Sequence, residues 1–153
     1  MPLNIVLIEP EIPNNTGNIG RLALASGSHL HLVKPFGFEI TDTRLKRAGL
    51  DYWPHVNIST YENTAEFFKI HNDKKMAFLS SHGDKNYWDI PFEDELFLVF
   101  GKESVGLSKR LLEEHSTDLY KIPLLSLHVR SLNLANAVAI VAYEGIKALK
   151  SSI

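Results

Sequence analysis

The sequence contains no cysteine. That absence excludes disulfides, thiolate metal centres and a cysteine nucleophile, and it is compatible with a reducing compartment. Net charge is almost as scarce, since 16 basic against 18 acidic residues leave −2. Binding of nucleic acid by bulk electrostatics is therefore not expected, although a local basic face can still take phosphate. No apolar run reaches membrane length: the most apolar stretch, residues 134–149, is interrupted by Asn136, Glu144 and Gly145. The segment MPLNIVLIEP lacks the basic portion and small-residue cleavage site of a signal peptide and reads as a strand. A cytoplasmic protein with no membrane association is expected. Repeats, low-complexity tracts and linkers are missing too, so residues 1–153 are read as a single domain.

What is present is ordinary globular material, 44% hydrophobic and 22% charged, arranged as alternating strands and helices. Residues 3–8 form an apolar run broken only by Asn4, suited to a buried parallel strand. A loop over 9–15 follows, then a helix from about Gly17 to Ser26 with Gly27 just past its end. Further strands are expected at 29–33, 56–58, 75–80, 96–100 and 119–122. Further helices are expected at 41–48, stopped by Gly49, from Thr60 onward, and from the cap Ser108 to about His115. A last helix, 134–149, is apolar on nearly every side over its first two turns and should be buried. This alternation predicts an α/β fold with a mostly parallel sheet and helices on both faces.

Three polar clusters stand at predicted strand or helix ends, where open α/β sheets collect ligands. Arg130, Ser131 and Asn133 precede the last helix, whose unpaired N–H groups and positive dipole end favour a polar ligand. Ser131 or Asn133 could equally be a plain N-cap. The second cluster, Asn14-Asn15-Thr16-Gly17-Asn18-Ile19-Gly20-Arg21, lacks the spacing of a dinucleotide fingerprint. Its glycines admit close approach to a ligand, and a bent loop could bring Asn15 and Arg21 to one site; a capped helix with a surface arginine is the plainer alternative. The third cluster, Phe100-Gly101-Lys102-Glu103-Ser104-Val105-Gly106-Leu107, lacks the Lys-Ser/Thr pair of a phosphate loop, so ATP binding is not expected. Here Gly101 lets a flat ligand lie against the strand end, and Glu103 supplies the only carboxylate of the turn.

Two other groupings invite a functional reading. Arg44, Lys46 and Arg47 make the densest basic cluster, either an RNA-phosphate face or a solvated helix face. His29 and His31 alternate along one strand and could chelate, but no third ligand at suitable spacing accompanies them, so no metal site is expected. There is also no G-x-S-x-G elbow for a serine nucleophile.

Taken in order, the three clusters resemble the SPOUT class of S-adenosylmethionine-dependent RNA methyltransferases, in the SpoU-like branch that methylates a ribose 2'-hydroxyl. The first motif is carried by Asn15, Gly17, Asn18 and Arg21 and the second by Gly101, Glu103, Gly106 and Leu107. The third is carried by Ile122, Pro123, Ser131, Leu132, Asn133 and Ala137. LNIVLIEPEIPNNTGNIGRL and the stretch from Arg44 to Trp53 are similar to the small enzymes of this class that methylate the wobble nucleotide of tRNA, cytidine or modified uridine, and consist of the catalytic domain alone. Residues 125–129 depart from the pattern, with histidine and apolar residues in place of a more polar loop.

The resemblance implies a deep trefoil knot in the C-terminal third, a homodimer with its active site near the subunit interface, and tRNA as partner. It implies cofactor contacts from Leu79, Gly101, Ile122, Ser131 and Leu132. For catalysis it implies Arg21 together with Asn15, Glu103, Ser131 and Asn133. Because arginine does not surrender its proton in proteins, the role expected of Arg21 is to hold the target phosphate and polarise the hydroxyl, that phosphate assisting proton loss. Asn15, Ser131 and Asn133 are expected to orient ribose and loop, and Glu103 to fix Arg21 or a neighbouring loop. A noncatalytic RNA-binding module of the same fold, or an enzyme acting at another RNA position, are the alternatives.

Overall fold

The computed structural model describes residues 2–150, apart from the side chains at 46, 49 and 50. In chain order, β1 (Leu3–Ile8) leads to α1 (Pro13–Ala25), β2 (His29–Val33), α2 (Thr43–Gly49) and a 3-10 helix, Leu50–His55. Then come β3 (Ile58–Tyr61), α3 (Thr64–Ile70), β4 (Met76–Leu79), the two-residue β5 (Lys85–Asn86) and a 3-10 turn, Tyr87–Asp89. The chain continues through β6 (Leu96–Phe100), α4 (Lys109–Glu114), a 3-10 turn at Ser116–Asp118, β7 (Leu119–Lys121) and α5 (Leu134–Ala148).

Seven strands form one sheet in the order β3-β2-β1-β6-β4-β7-β5, and every pairing is parallel. The period of two along β1 divides the core. Leu3, Ile5 and Leu7 face Ile19 and Ala23 of α1 and Val138, Val141 and Ala142 of α5, whereas Val6 and Ile8 face Phe67 of α3 and Leu111 of α4. Helices therefore cover both faces, as the alternation predicts.

Several boundaries differ from the sequence reading, each for a local reason. The first helix begins at Pro13, not Gly17, because proline at the first helical position gives up only an N–H that has no intrahelical partner there. Asn14, Asn15 and Thr16 are thus helical instead of looped. Its far end follows the expectation: Ser26 closes it and Gly27 takes φ +65°. Thr60 opens no helix; it lies in β3, paired with Leu32, and Asn63 caps α3 instead by accepting from Glu66 N. The last helix is not buried all round. Val138, Val141, Ala142 and Gly145 form one buried stripe at helical spacing, while Ile140 and Tyr143 on the other side remain 38% and 46% exposed.

Candidate functional site

The sheet reverses its direction of growth between β1 and β6, and ligands of open parallel sheets collect outside the carboxyl ends of the strands flanking such a reversal. A cleft of about 480 Å³ opens there, within the ~300–1,000 Å³ usual for ligand sites. The strand ends contribute Leu79 from β4, Phe100 and Gly101 from β6, and Ile122 just beyond β7. Asn15 of α1, Glu103, and the run Arg130, Ser131, Leu132 and Asn133 complete it. All five residues expected to contact a cofactor line this cleft, as do four of the five expected to act in catalysis.

A hydrogen-bonded chain ties the three clusters together. Ile12, the N-cap of α1, offers no capping side chain, and Glu103 supplies the acceptors from more than ninety positions away: Oε1 accepts from Glu11 N at 2.8 Å and Oε2 from Ile12 N at 2.9 Å. A negative charge at a helix N-terminus is favourable in itself. The same Oε2 accepts from Asn15 Nδ2 at 3.2 Å, and Asn15 Oδ1 accepts from Asn133 Nδ2 at 3.1 Å. Asn133 Oδ1 in turn accepts from Asn136 N and caps α5, so the N-cap reading of Asn133 holds while its side chain also lines the cleft. Glu11 reciprocates by accepting from Ser104 N at 2.8 Å, and these Ser104 contacts hold its carboxyl below the usual range. Glu103 therefore anchors the loop before α1 and not Arg21.

Arg21 does not line the cleft. Six residues along a helix advance it by ~9 Å and turn it by roughly 120° from Asn15. Since the segment is rigid helix from Pro13 onward, no bent loop brings the two side chains together. Its guanidinium is exposed and lies 5.0 Å above the centroid of the Tyr52 ring. At Gly101 and Gly20 the space that a side chain would take is filled by the protein itself. A methyl at Gly101 would fall 2.1 Å from the backbone of Gly106, because residues 102–106 fold back in a tight turn with Gly106 at φ +72°. The space beside Gly20 is filled by the Trp53 ring.

In the basic cluster, Arg44 is paired with Asp42 through Nε at 3.2 Å and Nη2 at 3.0 Å, and Arg47 is exposed. The side chain of Lys46 lies outside the described residues. Both ring nitrogens of His31 are engaged, by Asn4 and Tyr61, and His29 Nε2 is engaged by Ser59. Among the described residues, no group of three or more His, Cys, Asp or Glu is placed to hold a metal. No helix of those residues is long and apolar enough to cross a membrane.

Sequence reasoning passed over Ser80, Ser81, His82 and Leu124, which also line the cleft. The first three directly follow β4, and that position after an apolar strand was the available signal. Leu125 and Leu127, in the departing segment, are fully exposed beside the cleft-lining Leu124. A larger hollow of about 760 Å³ lies between α3 and α4, walled by Phe68, His71, Leu111 and His115; it adjoins the cleft at Lys102, Val105 and Gly106 and contains none of the expected site residues.

Comparisons with known proteins place this cleft in context. The model of the SpoU rRNA Methylase family matches residues 2–143. The chain is 42% identical over 147 residues to a tRNA (cytidine(34)-2'-O)-methyltransferase of Saccharophagus degradans, covering 95% of each. It superposes on a solved structure described as giving structural insights into the 2-OH methylation of C/U34 on tRNA, with a TM-score of 0.93, 41% identity and 97% of both chains covered. An AdoMet-bound rRNA methyltransferase of Sinorhizobium meliloti is similar at a TM-score of 0.86 and 26% identity, over 96% of this chain and 56% of that one.

Proposed function

Because the chain belongs to the SpoU rRNA Methylase family, we infer that it transfers a methyl group from S-adenosylmethionine to the ribose 2'-hydroxyl of the wobble nucleotide of tRNA, position 34. The observation that carries this reading is the convergence of three separated clusters on one cleft at the sheet's reversal point, in a chain alike from end to end to relatives bearing that activity in their names.

The cleft suits the cofactor. Leu79, Phe100, Ile122 and Leu132 offer apolar walls to a flat base, and the strand ends and turns bring backbone polar groups beside them. The only carboxylate in the turn, Glu103, is committed to α1. When bound, the cofactor supplies an electrophilic methyl group. The chain's own task is placement, the main source of acceleration in such a transfer. Asn15 and Asn133 are locked to each other and to Glu103, so they orient whatever enters beside Ser131 with little loss of rotamer freedom. Arg21 takes the target phosphate and polarises the hydroxyl. Arg47, exposed on α2, contributes RNA phosphate contact with Lys46, whereas Arg44 must first exchange Asp42 for phosphate.

Arg21 lies off its own cleft, and this supports a homodimer in which the site is completed near the two-fold interface. The open apolar side of α5 supports the same assembly. We also read residues 1–153 as one catalytic domain acting in the cytoplasm. The C-terminal third is read as the deep trefoil knot of this class, a reading supported by the insertion of β7 between β4 and β5.

The test is nucleoside analysis of tRNA after incubation with purified protein and labelled S-adenosylmethionine. The 2'-O-methylated nucleotide at position 34 is expected with wild type and lost with Arg21→Ala, which should still bind S-adenosylhomocysteine. Binding of tRNA without transfer by wild type would make this a noncatalytic module, and a methylated ribose elsewhere would reassign the position.

A further inference from the structure

Arg21 is held by a ring and not by an acid. Its guanidinium carbon sits over Tyr52 at 5.0 Å from the ring centroid, and among the described residues no carboxylate pairs with it and no hydrogen bond engages it. The neighbouring residue brings the ring there. Trp53 lies across Gly20, where a methyl would stand 2.5 and 2.8 Å from two ring carbons. Only a residue without a side chain lets the 3-10 helix Leu50–His55 settle so closely on α1. Two consecutive residues thus meet two consecutive residues, Trp53 on Gly20 and Tyr52 on Arg21.

The choice of an aromatic partner has a chemical consequence. A carboxylate would occupy the N–H edge of the guanidinium and cancel its charge. An aromatic face attracts the cation through the ring quadrupole, supports the planar group from one side, and leaves all its N–H edges to an incoming anion. Tyr52 is itself 41% exposed, so the fold does not depend on its burial.

We propose that Tyr52 is a positioning residue for methyl transfer: acting through Arg21, its ring holds the guanidinium flat and uncompensated, with its edge presented to an RNA phosphate. The proposal rests on the role given to Arg21 above. The ring face does the work, so the hydroxyl is dispensable.

The experiment compares Tyr52→Phe, Tyr52→Trp, Tyr52→Leu and Arg21→Ala in the full chain, measuring kcat and KM for methylation of tRNA, affinity for S-adenosylhomocysteine, and thermal midpoint. Phe and Trp should keep kcat within about twofold, and Leu should lower it by about 3- to 30-fold, the range a cation–π contact spans from exposed to desolvated settings. S-adenosylhomocysteine affinity should not change in any of them. If Leu lowers the thermal midpoint, Tyr52→Gln provides the same comparison without an apolar replacement. Full activity of the non-aromatic variants beside an inactive Arg21→Ala would overturn the role of Tyr52 and leave that of Arg21 standing. Equal losses in Phe and Leu would also overturn it, since the hydroxyl would then be the working group. An active Arg21→Ala would remove the reading of Arg21, and the role of Tyr52 with it.

Discussion

Both ring nitrogens of His31, which is 2% exposed, are committed, and the direction of every proton around it can be worked out. Asn4 gives its Nδ2 proton to Glu95 O, so its Oδ1 faces His31 and accepts from Nε2–H. Nδ1 is then the acceptor, Tyr61 O–H donates to it, and the Tyr61 oxygen accepts from His71 Nε2–H. A second proton on His31 would force the Tyr61 hydroxyl to turn its hydrogen to His71 Nε2, and His71 to change tautomer. Burial, with the neighbouring His29 and His71, pushes the His31 pKa down to about 3 from the usual 6.5. A histidine with a depressed folded value stabilises the fold fully above its unfolded pKa, and that contribution disappears as pH falls from 6.5 toward 3. The slope expected from His31 alone is at most ~1.4 kcal/mol per pH unit, and His29, His71 and His115, also lowered by burial, add to it in the same direction. Urea midpoints at pH 7 and pH 5 should differ accordingly, and His31→Gln should flatten the difference; an acid-insensitive wild type would contradict this account. In the sequence only the alternation of His29 and His31 was visible. Their partners at positions 4, 59 and 61 reach them through strand pairing, so what resembled half a metal site is an internal polar chain.

Among the elements, α1 shows most plainly which features a sequence displays and which it hides. Its end was legible, because Gly27 has to take a left-handed conformation just past the last turn. Its start was not, since the cap arrives from the loop after β6 as a side chain distant in sequence. The phase of the helix follows from that start, and with it the separation of Asn15 from Arg21. The cap of α3 was legible in principle, as Asn63 and Glu66 have the spacing of a capping residue and its partner, yet Thr60 drew the boundary toward itself. That Asn15, Gly101, Glu103, Ser131 and Asn133 line one cleft was readable because the three clusters stand at the ends of strands and helices. Glu103→Gln tests the long-distance cap: one carboxylate oxygen becomes an amide that cannot accept, so Glu11 N or Ile12 N loses its partner. Urea denaturation should show a loss of roughly 1–3 kcal/mol, with weaker methylation because α1 carries Asn15 and Arg21. Unchanged stability would mean that water caps the helix equally well.

For the molecule as a whole, sheet class was legible and strand order was not. Strands alternating with helices demand parallel pairing, but no local signal states that β6 lies beside β1 and β7 between β4 and β5. A homodimer joined through the open side of α5 should sediment as one species of about twice 17.2 kDa at micromolar concentration. Ile140→Asp should shift it toward monomer and reduce methylation, whereas a wild-type monomer that methylates tRNA would remove assembly from the reading. The parallel order also sets a schedule for synthesis. β1 can pair with β2 soon after both emerge, but its other edge waits for β6, about ninety residues later. At ~5–20 residues per second, that edge stays open for on the order of 5–20 s on the ribosome. During that interval β1, an interior strand whose six residues are all buried in the finished sheet, is open to pairing with a neighbouring nascent chain.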